Sequence, residues 1–196
     1  ETFLSGHINN VFTNTAAEMM NMLPKIIKTT LLVHKDVSEN FRKTATNFHY
    51  EFNIRHVAGV FQGLLMTSPA KFGNTSIVAD CWLHECYRVY GDRLVSPEDL
   101  AKFDGIMAAQ AKKGFGEFNL SRFYGETRDP LTFCHFIEGI GEDPIYDQIH
   151  ELAVLQKILD LAAASAAALI DGKVAMMLLW CPLLTTRAPT PARGPS

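Results

Sequence analysis

The sequence contains no G-x-x-x-x-G-K-[ST], and its two glycine clusters, GFGEFN and GIGEDP, lack the third glycine of a dinucleotide fingerprint. The chain on its own therefore has no phosphate cradle, and no enzymatic activity is expected of it in isolation. Basic charge is also short. Eighteen lysines and arginines stand against 21 acids, giving a formal net charge of -3 with the two signs interspersed. That leaves no basic stripe for a nucleic-acid backbone. The four cysteines, Cys81, Cys86, Cys134 and Cys181, form neither a C-x-x-C pair nor a regular framework. The expectation is free thiols in a reducing, intracellular compartment. The most apolar run, VAMMLLW from Val174 to Trp180, is far shorter than the ~20 residues that cross a bilayer, so no transmembrane segment is expected. The first residue is Glu1 rather than Met, and ETFLSGHINNVF has no basic leader or long apolar stretch. The chain reads as a piece of something longer.

Apolar content is plentiful. Of 196 residues 47% are hydrophobic, enough for one good core or for one small domain with extensions at either end, and one core is the reading taken. Helical periodicity dominates up to residue 113. Residues 6 to 21 can form one helix, and Pro24 suits the first turn of a second, which places Ile27, Thr30, Leu31, His34, Val37 and Phe41 on one side. IRHVAGVFQGLL, with Asn53 as N-cap, repeats Ile54, Val57, Ala58, Phe61, Leu64 and Leu65 at three-four spacing. After a turn from Pro69 to Gly73, SIVADCWLHECYRVYGDRL aligns Ala79, Trp82, Leu83, Cys86, Tyr87 and Tyr90 into an aromatic face expected at the centre of the core. Ser96, Pro97 and Asp99 start a further helix carrying Leu100, Phe103, Met107 and Ala111 inward, with Gly114 as its stop. A helical bundle is the predicted fold.

The pattern changes after Gly114. KKGFGEFNLSRFYGE is rich in glycine and aromatics and reads as a linker, and LTFCHFI reads as one buried strand with nothing nearby to pair it. An unpaired strand cannot stand alone, which suggests the opening of a second domain. Residues 144 to 170 return to helical spacing. RAPTPARGPS, from Arg187, is expected to be disordered because it has little surface to bury.

Three side-chain groups could carry chemistry, and each has a plainer explanation. Cys81, His84 and Cys86 with His56 could be imagined as a zinc site, yet helical spacing turns the two cysteines to different faces; core thiols and a surface histidine fit better. Cys134 and His135, with Glu138, could form a nucleophilic pair, but adjacent strand residues face opposite ways, and burial in a strand explains them. The aromatic face around Trp82 could be a ligand platform, although such faces usually pack a core. Arg55 is harder to dismiss. It falls in the first turn of its helix, at the positive end of the dipole, where a cation costs about 0.3–1 kcal/mol. A solvated surface arginine is the ordinary reading. The alternative is that an anion, most plausibly a phosphate brought by another domain, sits where helix dipole and guanidinium converge.

FHYEFNIRHVAGVFQGLL, WLHECYRVYGDRLV and DPLTFCHFIEGIGEDPIYDQI, in that order, closely resemble dynein heavy chains. The family pattern is a His-Tyr-x-Phe-Asn-Leu-Arg-Asp helix, a Trp-x-His-Glu-x-x-Arg-Val-x-x-Asp-Arg-Leu helix and a linker into the next ATPase module. The likeness runs from about residue 6 to 158 and looks most like the axonemal outer-arm type. The resemblance implies a mainly α fold: an AAA+ lid-type helical bundle, then a linker, one unpaired strand segment and a divergent tail. Residues 1–23 would be the end of a large subdomain or the first lid helix, 24–114 the lid of the third module, 115–158 the lead-in to the fourth, and 159–196 a divergent tail expected to be disordered.

In such modules an arginine opening a lid helix, called sensor 2, reaches toward the terminal phosphate of nucleotide bound in the adjoining large subdomain. Arg55 matches that position, and Ile54 would lie near the nucleotide. The family usually follows the arginine with Asp, whereas this chain has His56. The implied cofactors are ATP or ADP with Mg in the parent module and none for the chain alone. The implied partners are neighbouring AAA+ large subdomains, other dynein subunits and microtubules, in the cytoplasm, cytoskeleton and axoneme of a cilium or flagellum, with no nucleic acid and no membrane. A reading from another class is a stand-alone helical module that uses the aromatic face and the Arg55 end to bind an acidic partner.

Overall fold

A computed structural model describes residues 2–12, 16–116, 131–135, 145–149 and 151–169. Its elements in chain order are α1 (Thr2–Val11), α2 (Ala16–Asn40), α3 (Ile54–Leu64), α4 (Thr75–Val89), a 3-10 turn (Gly91–Arg93), α5 (Pro97–Phe115), β1 (Thr132–Cys134), β2 (Asp147–Ile149) and α6 (Leu152–Leu169). The bundle pairs α2 with α5 and α1, and α3 with α4, while α4 also meets α2 and β1. The fold is mainly α, as expected.

Apolar spacing explains most of this. Leu4, Ile8 and Phe12 form the buried stripe of α1, and Met19, Leu23, Ile26, Thr30, Val33, Val37 and Phe41 that of α2 and the residue after it. Pro24 lies inside α2 rather than in its first turn. A proline there removes one helical hydrogen bond at a cost of about 3 kcal/mol. Burial of Met19, Met22 and Leu23 on its N-terminal side holds the helix continuous across it. The buried face of α2 is turned from the expected one, since Leu31 is exposed while Ile26 and Val33 are buried.

A similar rotation affects α3, whose buried residues are Val57, Val60, Gly63 and Leu64. Glycine decides it. A Cβ on Gly63 would come within 1.9 Å of the Glu85 carboxyl carbon, and one on Gly59 would stand 3.5 Å from Val89 Cγ2. Thus α3 lays its Gly59–Gly63 edge on α4. At the end of α5, Gly114 is a contact point rather than the stop, because a Cβ there would meet Thr29 Oγ1 at 2.1 Å. The helix runs on to Gly116, whose φ of +77° suits glycine.

The helix α4 is the core's centre. Every residue from Val78 to Cys86 is buried, so it has no continuous solvent face. The Trp82 indole N–H donates to Thr30 Oγ1 at 2.8 Å, and Thr30 in turn donates to the Ile26 carbonyl at 2.7 Å.

Beyond the bundle, two expectations are corrected. The strand at Thr132–Cys134 has a partner, pairing antiparallel with Asp147–Ile149 in a stretch expected to be helical. Tyr146 and Ile149 are buried there, and that anchoring outweighs the helical spacing. The helical spacing read over 144 to 170 holds for Leu152–Leu169, which runs on through the start of the divergent stretch expected to be disordered from residue 159. Leu152–Leu169 is dominated by alanine and leucine, the strongest helix formers. Leu155 is buried and Leu159 packs beside it against Cys134 and Ile149, forming a small satellite core. Most of the linker, residues 117–130, and the tail 170–196 with its VAMMLLW run lie outside the described residues.

Candidate functional site

The N-terminal end of α3 is assembled by the loop before it. Tyr50 is buried edge-on against Phe41, with ring centroids 6.3 Å apart. Its hydroxyl donates to Asp99 Oδ2 at 2.8 Å and accepts the Val95 N–H at 3.1 Å, which ties the loop to the start of α5. His49 Nε2 lies 3.1 Å from the Arg93 carbonyl. The chain then enters α3 through Asn53, in extended conformation, whose Oδ1 accepts the Arg55 N–H at 3.0 Å. In return the Asn53 N–H donates to His56 Nδ1 at 3.0 Å. This is a capping box in which histidine takes the place of the usual Glu or Gln.

That role requires Nδ1 of His56 to be unprotonated. Burial lowers the pKa of His56; the adjacent Asn53 carbonyl and Glu51 pull upward, and the Arg93 charge pushes down, leaving a net lowering. His34, whose Nδ1 lies 3.2 Å from the Tyr90 hydroxyl, is also lowered, first by burial and then by His56. Neutral imidazoles therefore back the helix end. The Arg55 side chain projects from it exposed, beside an Ile54 that is 69% exposed. An exposed cation thus stands in the first turn of α3, at the positive end of its dipole, where an anion is favoured.

The other candidates resolve as structure. Cys81 and Cys86 are wholly buried, and burial followed by the Glu85 charge pushes both thiols well above their ordinary pKa. Such thiols are poor nucleophiles and poor metal ligands. His84 is not a surface residue; it is buried, with Nδ1 3.2 Å from the Leu131 carbonyl. No metal-holding cluster occurs among the described residues. Cys134 is buried but His135 is exposed, and Glu138 lies outside the described residues. The aromatic face of α4 is filled: Trp82 packs edge-on against Phe115 at 5.0 Å, and Tyr87 does the same against Phe103 at 5.1 Å.

Sequence reasoning missed a polar junction on α4. Glu85 is 1% exposed, and its Oε2 accepts from Arg88 Nε at 2.8 Å and Nη2 at 2.6 Å. Its Oε1 accepts the hydroxyl of Tyr146, from the segment leading into β2. The Glu-x-x-Arg spacing was the available signal, since it sets the two charges on one helical face. The third member, 61 residues away, left none.

Residues 26–122 match the AAA+ lid domain family. The chain is 43% identical over 160 residues to the dynein alpha chain of the flagellar outer arm of Chlamydomonas reinhardtii. It is 37% identical over 158 residues to a ciliary dynein beta chain of Tripneustes gratilla, and 32% identical over 158 residues to human dynein axonemal heavy chain 17. The chain belongs to the dynein heavy chain family. Each match takes in 81% of this dynein segment and 3% of the relative. The bundle of this dynein segment is thus a lid, and the reading as a stand-alone interaction module is not favoured.

Proposed function

We propose that this segment serves as the lid of the third AAA+ module of an axonemal dynein, a motor driven by ATP along microtubules, and that Arg55 is its nucleotide sensor. In this reading residues 1–23 close the preceding large subdomain or form the first lid helix, 24–114 are the lid, and 115–158 lead into the fourth module. The divergent tail begins at residue 159, within α6. ATP or ADP with Mg binds in the neighbouring large subdomain, with Ile54 near the nucleotide. The partners are the adjoining large subdomains, other dynein subunits and microtubules, and the location is the axoneme of a cilium or flagellum.

One observation carries the sensor assignment: an exposed arginine in the first turn of α3, at the helix end where a cation is disfavoured, on a loop pinned by Tyr50 and capped by Asn53. A phosphate oxygen at that point would reverse the sign of the penalty. The contact is a charge-assisted hydrogen bond of about 1.5–3 kcal/mol made only with nucleotide bound.

In a complete heavy chain, Arg55→Ala is expected to weaken nucleotide binding at this module by about 10- to 150-fold. Microtubule gliding should change while the melting temperature holds or rises slightly. Photoaffinity labelling with an azido-ATP, mapped to peptides, reads the site, and a gliding assay reads the motor. Parent values in both would defeat the sensor reading and leave Arg55 a tolerated surface cation.

A further inference from the structure

The Glu85 junction joins three parts of the molecule that the chain keeps far apart. Its carboxylate lies on the backbone of α3, so close to Gly63 that no side chain would fit between them. Arg88, which grips the same carboxylate, also donates from Nη2 to the Gly59 carbonyl at 3.3 Å, one turn nearer to Arg55. From the other side comes Tyr146, stacked on Phe72 at 6.3 Å and tilted against Phe133 at 5.8 Å. The strand pair is tied down twice more, at β2 by Lys71 to Asp147 at 2.8 Å and just before β1 by His84 to the Leu131 carbonyl.

Stability alone does not account for this arrangement. Glu85 is buried but the Arg88 side chain is 36% exposed, so solvent screens part of the attraction while desolvation of the carboxylate opposes the rest. Directional bonds add register: apolar helix faces tolerate small slides, whereas an acceptor shared by Arg88 and Tyr146 does not. Glycine at 63 removes the side chain that would otherwise hold α3 away from that acceptor, and the Gly59 carbonyl is reached by Arg88.

We propose that Glu85 and Arg88 are positioning residues that register α3, through Gly59 and Gly63, against the segment around Tyr146, so that displacement of the β1–β2 unit is passed to the end of α3 that carries Arg55. The inference rests on the sensor reading for its consequence in the motor, but not for the register itself. Arg55 lies at one end of a short helix, and the junction meets that helix at its middle, Gly59, and its other end, Gly63. A shift at Gly63 therefore moves the helix as a body.

Hydrogen exchange by mass spectrometry on the full 196-residue chain tests the register without nucleotide. Tyr146→Phe deletes one hydroxyl and keeps the ring. It should speed exchange in α3, from Val57 to Leu64, by about fivefold, the effect of losing one buried hydrogen bond, and leave α5 from Phe103 to Ala111 unchanged. Arg88→Lys, which keeps the charge and loses the fork, should do the same. Unchanged exchange in α3, or equal acceleration in α5, would overturn the proposal.

In the complete heavy chain, Tyr146→Phe should lower nucleotide affinity at this module about fivefold with Arg55 present and have no further effect in an Arg55→Ala background. An equal loss in both backgrounds would also overturn it. If Arg55→Ala is silent while α3 still loosens in Tyr146→Phe, the sensor reading falls and the register stands.

Discussion

His56 shows how one side chain links a helix cap to pH. Its Nδ1 accepts the Asn53 N–H only when unprotonated, and burial lowers its pKa, as it does for His34 and His84. The sign comes from linkage. A histidine whose folded pKa lies below its ordinary 6.5 contributes stability that is fully present above that value and is lost as pH falls through the folded pKa. The melting temperature is therefore expected to drop between pH 7.5 and 5.5, and NMR titration should place all three midpoints below 6.5. Midpoints at or above that value would contradict the burial argument. Protonated His56 could still donate to the Asn53 carbonyl 3.1 Å away, so the cap changes its bonding rather than vanishing. A His56→Gln variant, which supplies an acceptor at every pH, should flatten part of the dependence.

Among the helices, glycine positions separate close packing from mere flexibility. Gly63→Ala drives a methyl group into the Glu85 carboxylate and is expected to destabilise the chain by about 1–3 kcal/mol. Gly105→Ala, in the middle of α5 with nothing within 4 Å, should stabilise it by about 0.5–1 kcal/mol. Urea midpoints of the two variants should move in opposite directions; a shift in the same direction would mean that the α3–α4 approach is looser than described.

The same residues explain how much of the fold was legible in the sequence. Asn53 and Ser96 announced the starts of α3 and α5, because a cap is a local event between residues two or three apart. Which face of α3 is buried was not legible, since Gly59 and Gly63 carry no hydrophobic signal and matter only once α4 arrives. The place of Arg55 in the first turn of α3 was legible because it is local to one helical turn. The Tyr146 contact was not, because nothing in the chain between announces it.

At the scale of the whole molecule, two bodies of packing differ in depth. The bundle closes around α4, whereas α6 rests on the satellite core of Cys134, Ile149 and Leu155. Leu155→Ala should therefore unfold α6 locally, at a cost of about 2–3 kcal/mol, and leave Trp82 fluorescence unchanged. A fluorescence change parallel to the loss of helix would show that the two packings are one.

The Glu85 junction has a further consequence during synthesis. The ribosome delivers Glu85 61 residues before Tyr146, and His84 47 residues before Leu131. At about 5–20 residues per second, the wait for Tyr146 is about 3–12 s. Through that interval α3 and α4 can already pair, with Arg88 holding Glu85, while the side of α4 that later receives the β1–β2 unit stays wet. The helices of the nascent lid are thus all synthesised before the Tyr146 hydroxyl and the Asp147 carboxylate that fasten them to the strand pair.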